Sequence, residues 1–331
     1  MKPFNILFTS AGRRVSLIQA FKKALSDLDI VGNIIAVDGK RNAPALYVAN
    51  FWEQVPRVIS PVYINHLLEI CKKYEVKLLI PLIDTELEIF SNHKLAFEAV
   101  GVTVLVSSEE TNQICCDKRN TYNFFKKMGI QTPKIYDADQ ILQDPHAQYP
   151  FIIKPADGSS SEGVTKVKNA EEVEFFNKLI PNAIVQEYLT GKEFTLDILT
   201  DLQGRVFSVV PRIRIETRTG EISKGVTVKD NALIAAGKRV VSSLPGAFGC
   251  LTAQCFLLPS GEISFIEINP RFGGGFPLSF HAGANFPGWI IEMMHNHPLD
   301  IEIDQWREGV TMLRYDDAIF LEKEMIECVN S

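Results

Sequence analysis

Short apolar runs alternate with amphipathic stretches through the first third of the chain. Residues 4 to 10 (FNILFTS) form an apolar run that ends in a turn at Ser10 to Arg14, and Val15, Leu17, Ile18, Phe21 and Leu25 follow at helical spacing. The pattern repeats with strands over 34–38, 77–82 and 102–106 and helices over 62–74 and 85–99. Such alternation predicts a parallel sheet with helices on both faces, a Rossmann-like α/β domain. Further on, Asp117 opens a helix that closes at Gly129, and apolar runs at 149–155 and 183–189 flank a Gly/Ser-rich segment. From Glu193 the period changes to two. Strands at 194–201, 205–216 and 223–228, a helix at 228–244 and a hairpin at 253–269 predict an antiparallel sheet with one covering helix. Past it, 276–296 gives a loop bearing His281 and a helix, and the tail from Pro298 holds one strand-like run, VTMLRY.

Chemistry concentrates in the hairpin's second strand, ISFIEINPRFGGG from Ile263 to Gly275. Side chains two apart in a strand share a face, so Glu267, Asn269 and Arg271 are expected to look into one cleft, with Gln254 beside Glu267 on the partner strand. A carboxylate with neutral amide oxygens suits magnesium. A surface Glu–Arg ion pair is the plainer alternative, but an acid in so apolar a strand needs partners. Lys154 ends an apolar strand at Pro155 and calls for an anion, and the run Gly158, Ser159, Ser160, Ser161 offers amides and hydroxyls suited to folding over phosphates. Arg13 and Arg14 open a helix and could hold an anion, or be solvated residues of its first turn. No G-x-G-x-x-G accompanies them, which weakens a dinucleotide reading pointing to Asp38. The turn Pro81 to Glu86 follows a strand end, where open α/β sheets bind ligands, or else Asp84 simply caps the next helix. Arg212, Arg214 and Lys224 are expected on one face as a clamp for an anionic intermediate, or as surface ion pairs.

Composition narrows the classes. With 331 residues, 46% of them hydrophobic, the chain can bury a large core in two or three domains. A net charge of -6 argues against a general nucleic-acid or anionic-membrane binder. No membrane-spanning run or signal pattern is seen, so a cytoplasmic enzyme is expected. Cys71, Cys115, Cys116, Cys250, Cys255 and Cys328 lack metal or disulfide spacing and read as reduced packing thiols.

The ordered set Lys118, Lys154, the Gly/Ser loop, Glu187, Glu193, Gln254, Glu267, Asn269 and Arg271 resembles the ATP-grasp superfamily, with the synthetase half of carbamoyl phosphate synthetase and biotin carboxylase as the nearest named likenesses. The resemblance implies an α/β pre-ATP-grasp domain at 1–115, an ATP-grasp domain of two subdomains at 116–297 with its lid at about 120–186, and a tail at 298–331. It implies ATP bound by Lys118, Lys154 and the loop at Gly158, Ser159, Ser160 and Ser161. The adenine edge would be read around Glu187, Tyr188 and Leu189, the base sandwiched by Ile153, Val185 and Leu257, and the ribose held by Glu193. Gln254, Glu267 and Asn269 would ligate magnesium, with manganese able to stand in, and Lys154 and Arg271 would be catalytic. Arg13, Arg14, Arg212, Arg214 and Lys224 would face the substrate. The implied activity is an ATP-dependent ligase that activates a carboxylate as an acyl phosphate for attack by an amine or ammonia. A single carbamoyl-phosphate-type half acting on bicarbonate or carbamate, and a non-catalytic ATP-binding module, are the alternatives. Implied partners are small-molecule carboxylates and amines, with no nucleic acid or membrane, and a homo-oligomer is compatible with the family.

Overall fold

The structure, a computed structural model, describes residues 3–158, 163–218, 220–297 and 305–322. Its front part runs β1 (Asn5–Thr9), α1 (Val15–Asp27), β2 (Ile34–Asp38), β3 (Phe51–Gln54), α2 (Tyr63–Lys73), β4 (Val76–Pro81), α3 (Asp84–Asn92), α4 (Lys94–Glu98) and β5 (Thr103–Val104). The strand order is β3-β2-β1-β4-β5, with every pair parallel. Because helices cover both faces, β1 is buried throughout: Ile6 and Phe8 face one core with Phe21, and Leu7 faces the other with Leu67 and Phe90. The order reverses between β1 and β4, and the crevice beyond their C-terminal ends is where open α/β sheets bind ligands. Two expectations change. The helix expected over 85–99 is two, turning at His93, whose N–H is shared between the carbonyls of Ile89 and Phe90. The edge strand β3 was not expected, because its outward pattern (Phe51, Glu53 and Gln54 among four residues) carries no apolar alternation.

Two capped helices lead out of this domain, α5 (Glu109–Cys116) and α6 (Lys118–Lys127). Ser108 and Asp117 accept from the free N–H groups of Thr111 and Arg119. A four-stranded antiparallel sheet follows, built from β6 (Ile135–Tyr136), α7 (Ala138–Gln143), β7 (Phe151–Pro155), β8 (Thr165–Val167), α8 (Ala170–Leu179) and β9 (Ala183–Glu187), in the order β6-β9-β7-β8. The larger sheet is also antiparallel. It comprises β10 (Lys192–Thr200), β11 (Val206–Arg218), β12 (Glu221–Thr227), α9 (Asn231–Ser242), β13 (Cys250–Leu257) and β14 (Ile263–Asn269), then α10 (Phe276–Ala282), α11 (Phe286–Met294) and β15 (Thr311–Leu313), with strand order β14-β13-β10-β11-β12-β15. Helix α9 covers one face at close range, since a Cβ at Gly237 would lie 2.7 Å from Leu196 Cδ2.

The two halves share a core. Phe21 of α1 meets Phe272 at 5.8 Å between ring centroids, and Phe272 meets Phe276 at 4.9 Å, so α10 and α11 pack against the front domain. The tail is likewise built in, as β15 pairs with β12 through Lys224 opposite Leu313. Cys71, Cys115, Cys116, Cys250 and Cys255 are free thiols, and Cys328 lies outside the described residues. Among the described residues no helix is long and apolar enough to cross a membrane.

Candidate active site

A cavity of about 250 Å³ lies between the small sheet and the uncovered face of the large one. Strand parity decides which side chains line it. On β7, Phe151 and Ile153 point away into a core with Val173 and Val185, so Ile152 and Lys154 face the cavity. On β13, Gln254 and Phe256 face it. The apolar walls are therefore Ile152, Val164, Leu189, Phe256 and Ile266, and not the expected Ile153, Val185 and Leu257. Composition alone cannot choose between the faces of a strand apolar on both.

Lys154 sits 6% exposed with its Nζ donating to Gln186 Oε1 at 2.7 Å. Burial pushes its ammonium down to about 8, the Glu267 carboxylate opposes the shift, and Lys118 adds to it. Lys118 opens α6 at the cavity's rim, donating from Nζ to the Gly158 carbonyl at 3.1 Å. Among the described residues both ammonium groups donate only to neutral oxygens, which suits this wall to receiving anions. Ser159, Ser160 and Ser161 lie outside the described residues. Tyr188 and Leu189 line the cavity as the connector out of β9, and Lys166 Nζ lies 3.8 Å from the Tyr188 ring centre. Glu187 lines the cavity as well, though its own N–H is not free to read an adenine edge. Its N–H is taken by the Lys134 carbonyl, and its Oε2 accepts from the Lys134 N–H at 2.8 Å. Glu193 lines the cavity 3.2 Å from Arg214 Nε; burial raises its pKa, Arg214 opposes this and Glu267 adds to it.

Across the cavity, Gln254 stands directly opposite Glu267, and Thr252 opposite Asn269. The register shifts between Gln254 and Cys255, because Glu267 pairs with Gln254 while Phe265 pairs with Cys255, leaving Ile266 as the extra residue of a β-bulge. The bulge lets two successive residues, Ile266 and Glu267, face the cavity while Phe265 is buried against Phe125. Asn269 Nδ2 donates to Glu267 Oε1 at 2.6 Å. The donor set suits a hard divalent cation: one carboxylate with two amides at hand, Asn269 Oδ1 unspent, and among the described residues no cluster of three His, Cys, Asp or Glu side chains to favour a softer metal.

The expected E-x-N-x-R alternation stops short of the arginine, because β14 ends at Asn269 and the chain turns at Pro270. Arg271 swings to the front domain, where Nε and Nη2 reach Asp84 Oδ1 and Oδ2 at 2.7 and 2.6 Å. Asp84 is thus no helix cap; the cap position is Ile83. Arg212 and Arg214 do share the floor, opposite Thr195 and Gly225, but Arg212 is closed off. It is 1% exposed and bidentate to Asp197 at 2.7 and 2.9 Å, under the glycine turn after β14. Lys224 corrects further, pointing out to Glu216 at 2.7 Å. Arg13 is exposed, whereas Arg14 lies 3.7 Å from Glu221, with burial pushing its guanidinium down to about 10.

Glu86 was expected only as part of the turn after the strand, with no role of its own. It is fully buried and accepts from Thr9 Oγ1 at 3.0 Å, Ser10 Oγ at 2.8 Å and the Tyr63 hydroxyl. Burial raises its pKa against these donors and the Leu82 N–H. The network fixes the turn that carries Arg13 and Arg14, in which Ser10 adopts φ 46°. Its one sequence signal was an acid two residues past Asp84 in the same helical turn.

Comparison with known proteins agrees with this geometry. Residues 6–105 match the PylC-like N-terminal domain and residues 115–275 the ATP-grasp domain. The chain thus carries an ATP-grasp domain behind a PylC-like N-terminal domain. It is 29% identical over 262 residues to a formate-dependent phosphoribosylglycinamide formyltransferase from Trichormus variabilis, covering 73% of this chain and 64% of that protein. A D-alanine–D-alanine ligase from Fusobacterium nucleatum is 26% identical over 169 residues, 48% of this chain and 58% of that one. The chain therefore spans 58 to 64% of the length of these curated relatives. In fold it is similar to biotin carboxylase from Campylobacter jejuni, solved as a β,γ-ATP complex, with TM-score 0.74 and 15% identity over 94% of this chain and 74% of that one.

Proposed function

We propose that this protein is an ATP-dependent ligase that activates a small-molecule carboxylate as an acyl phosphate and passes the acyl group to an amine or ammonia. One observation carries the reading: a single cavity sets the ammonium groups of Lys118 and Lys154 against Gln254 and Glu267 across a slot with apolar walls. A nucleotide needs those three surfaces: cations for its phosphates, hard oxygens for its metal and apolar walls for its base. The relatives named as D-alanine–D-alanine ligase and formate-dependent formyltransferase, and the biotin carboxylase solved with an ATP analogue, support the same class.

In this reading Lys154, held by Gln186, and Lys118 bind the phosphates, and Glu193 is the acid nearest a ribose. Glu267 and Asn269, with Gln254, would hold magnesium. Bound there, the ion would offset charge building on the transferring phosphoryl group. Arg271, fixed by Asp84, orients the carboxylate at the seam between the domains. A carbamoyl-phosphate-type half remains the second reading, favoured by an amide, Gln254, opposite Glu267. The test is ADP and phosphate release against panels of carboxylates paired with amines, with bicarbonate among them. Stimulation by a carboxylate–amine pair is expected; ADP release that no carboxylate raises would reject the ligase reading.

A further inference from the structure

Beyond the nucleotide cavity, the crevice of the front domain meets the glycine turn and the outer strands of the large sheet. Arg14 comes from the turn after β1, Arg271 from the chain after β14, and Arg314 from just past β15 in the tail. Arg314 donates to Glu221 Oε2 at 2.8 Å and to the Gly274 carbonyl at 2.7 Å. The groups are close enough to act on one another: Arg14 feels Arg271, Glu221, Arg314 and Asp84, and Glu221 feels Arg13. Asp84 is consumed by Arg271, and Glu221 is shared between Arg14 and Arg314. Four guanidiniums thus face three carboxylates, since Glu267 also acts on Arg271, leaving a surplus of one positive charge, or two once a cation engages Glu267, in a chain of net charge -6.

Arg14 is the least satisfied of the half-buried members. Among the described residues its guanidinium makes no hydrogen bond, only the 3.7 Å contact with Glu221. Only a glycine fits against it, since a Cβ at Gly274 would lie 2.7 Å from Arg14 Nη1 and 2.5 Å from Glu221 Oε1. A desolvated guanidinium with free donors gains most from a bidentate anion.

We propose that this crevice binds a dianionic small molecule, whose second anionic group is held by Arg14 while the tail's Arg314 keeps Glu221 from neutralising it. The identity of the first group as the reacting carboxylate rests on the ligase reading; the anion subsite does not. The reasoning is one of charge. Arg271 serves the group next to Glu267 and Asn269, and the remaining surplus at Arg13 and Arg14 has no use for a monocarboxylate or a cationic amine. A dicarboxylate and a phosphate ester share the needed chemistry.

Calorimetric titration of the full chain decides it, with and without ADP and magnesium, using succinate, butyrate and 2-phosphoglycolate as probes. Succinate or phosphoglycolate is expected to bind at least about tenfold tighter than butyrate, the gain of one charge-assisted contact. Whichever of the two binds tighter names the second group as carboxylate or phosphate. Arg14→Gln and Arg314→Gln should each shrink that preference, and Arg14→Lys should keep part of it, with ADP affinity and melting temperature unchanged. Equal binding of succinate, phosphoglycolate and butyrate, or a preference intact in Arg14→Gln, overturns the proposal. A protein that prefers the dianion yet binds no ADP sinks only the ligase reading.

Discussion

At the scale of single residues, the informative groups are charges held away from water. Lys154 is the clearest case, because burial takes its folded pKa from 10.5 to about 8. Between those values the unfolded chain holds a proton that the native protein has lost, so this group makes the nucleotide-free protein more stable as pH rises from 8 to 10.5. Below 8 both states are charged and its cost is constant. Nucleotide needs the ammonium, so ADP affinity should fall as pH rises past 8, by up to about tenfold per pH unit. Lys154→Met should weaken ADP binding and flatten that slope, read by titration across the range; an unchanged slope would remove Lys154 from the phosphate site. Asp197 and Arg212 form the other buried pair, and Ser279 Oγ also donates to Asp197. Asp197→Asn leaves Arg212 charged in the interior and should cost about 3–5 kcal/mol in a denaturant midpoint experiment. A loss below ~1 kcal/mol would mean that water reaches the pair, as at exposed sites.

Among the elements, β14 and the glycine turn after it matter most. The bulge at Ile266 brings Glu267 and its apolar neighbour to one surface, which regular alternation cannot do. Three glycines then let the chain pass between side chains. A Cβ at Gly275 would lie 2.4 Å from Arg212 Nη1, and one at Gly274 would press on Arg14 and Glu221. The two substitutions should therefore differ. Gly275→Ala pushes on a buried pair and lowers stability by about 1–3 kcal/mol. Gly274→Ala, beside partly exposed tips, should leave the melting temperature near wild type and raise the KM for the acceptor substrate more than that for ATP. The reverse ranking in steady-state kinetics would place the Gly274 turn at the nucleotide. Glu267→Gln and Asn269→Ala should each lower turnover by about 100- to 1,000-fold, the usual scale for losing one group that stabilises developing charge. Near-normal rates in both, with magnesium titrated, would reject the metal assignment.

On the scale of the whole molecule, the site exists because two domains share a core and a polar seam. Phe21, Phe272 and Phe276 join the apolar interiors, and Arg271 with Asp84 ties the polar edges. Asp84→Asn keeps the shape but removes the charge that orients Arg271. It should reduce kcat/KM for the carboxylate about tenfold or more, with ATP affinity by titration little changed. An equal loss for both substrates would show that the pair holds the domains together and does not aim the arginine.

The alternation of apolar runs determined the parallel front sheet and the antiparallel sheet behind it, since burial of a strand or helix face is written locally in periodicity. Lys154 and Glu267 were legible for a related reason, as charges set in or at the end of apolar strands, while Gln254 followed from the hairpin pairing and Lys118 from the family resemblance alone. What the sequence left open was orientation. Ile152 and not Ile153 faces the cavity: β7 has apolar residues on both faces, and its alternation with Lys154 and the core packed on the other face settle the choice. Pairing was hidden too. Arg271 with Asp84, Arg212 with Asp197 and Arg14 with Glu221 join residues 187, 15 and 207 positions apart, and such contacts depend on how the sheets and domains stack, which no local spacing records.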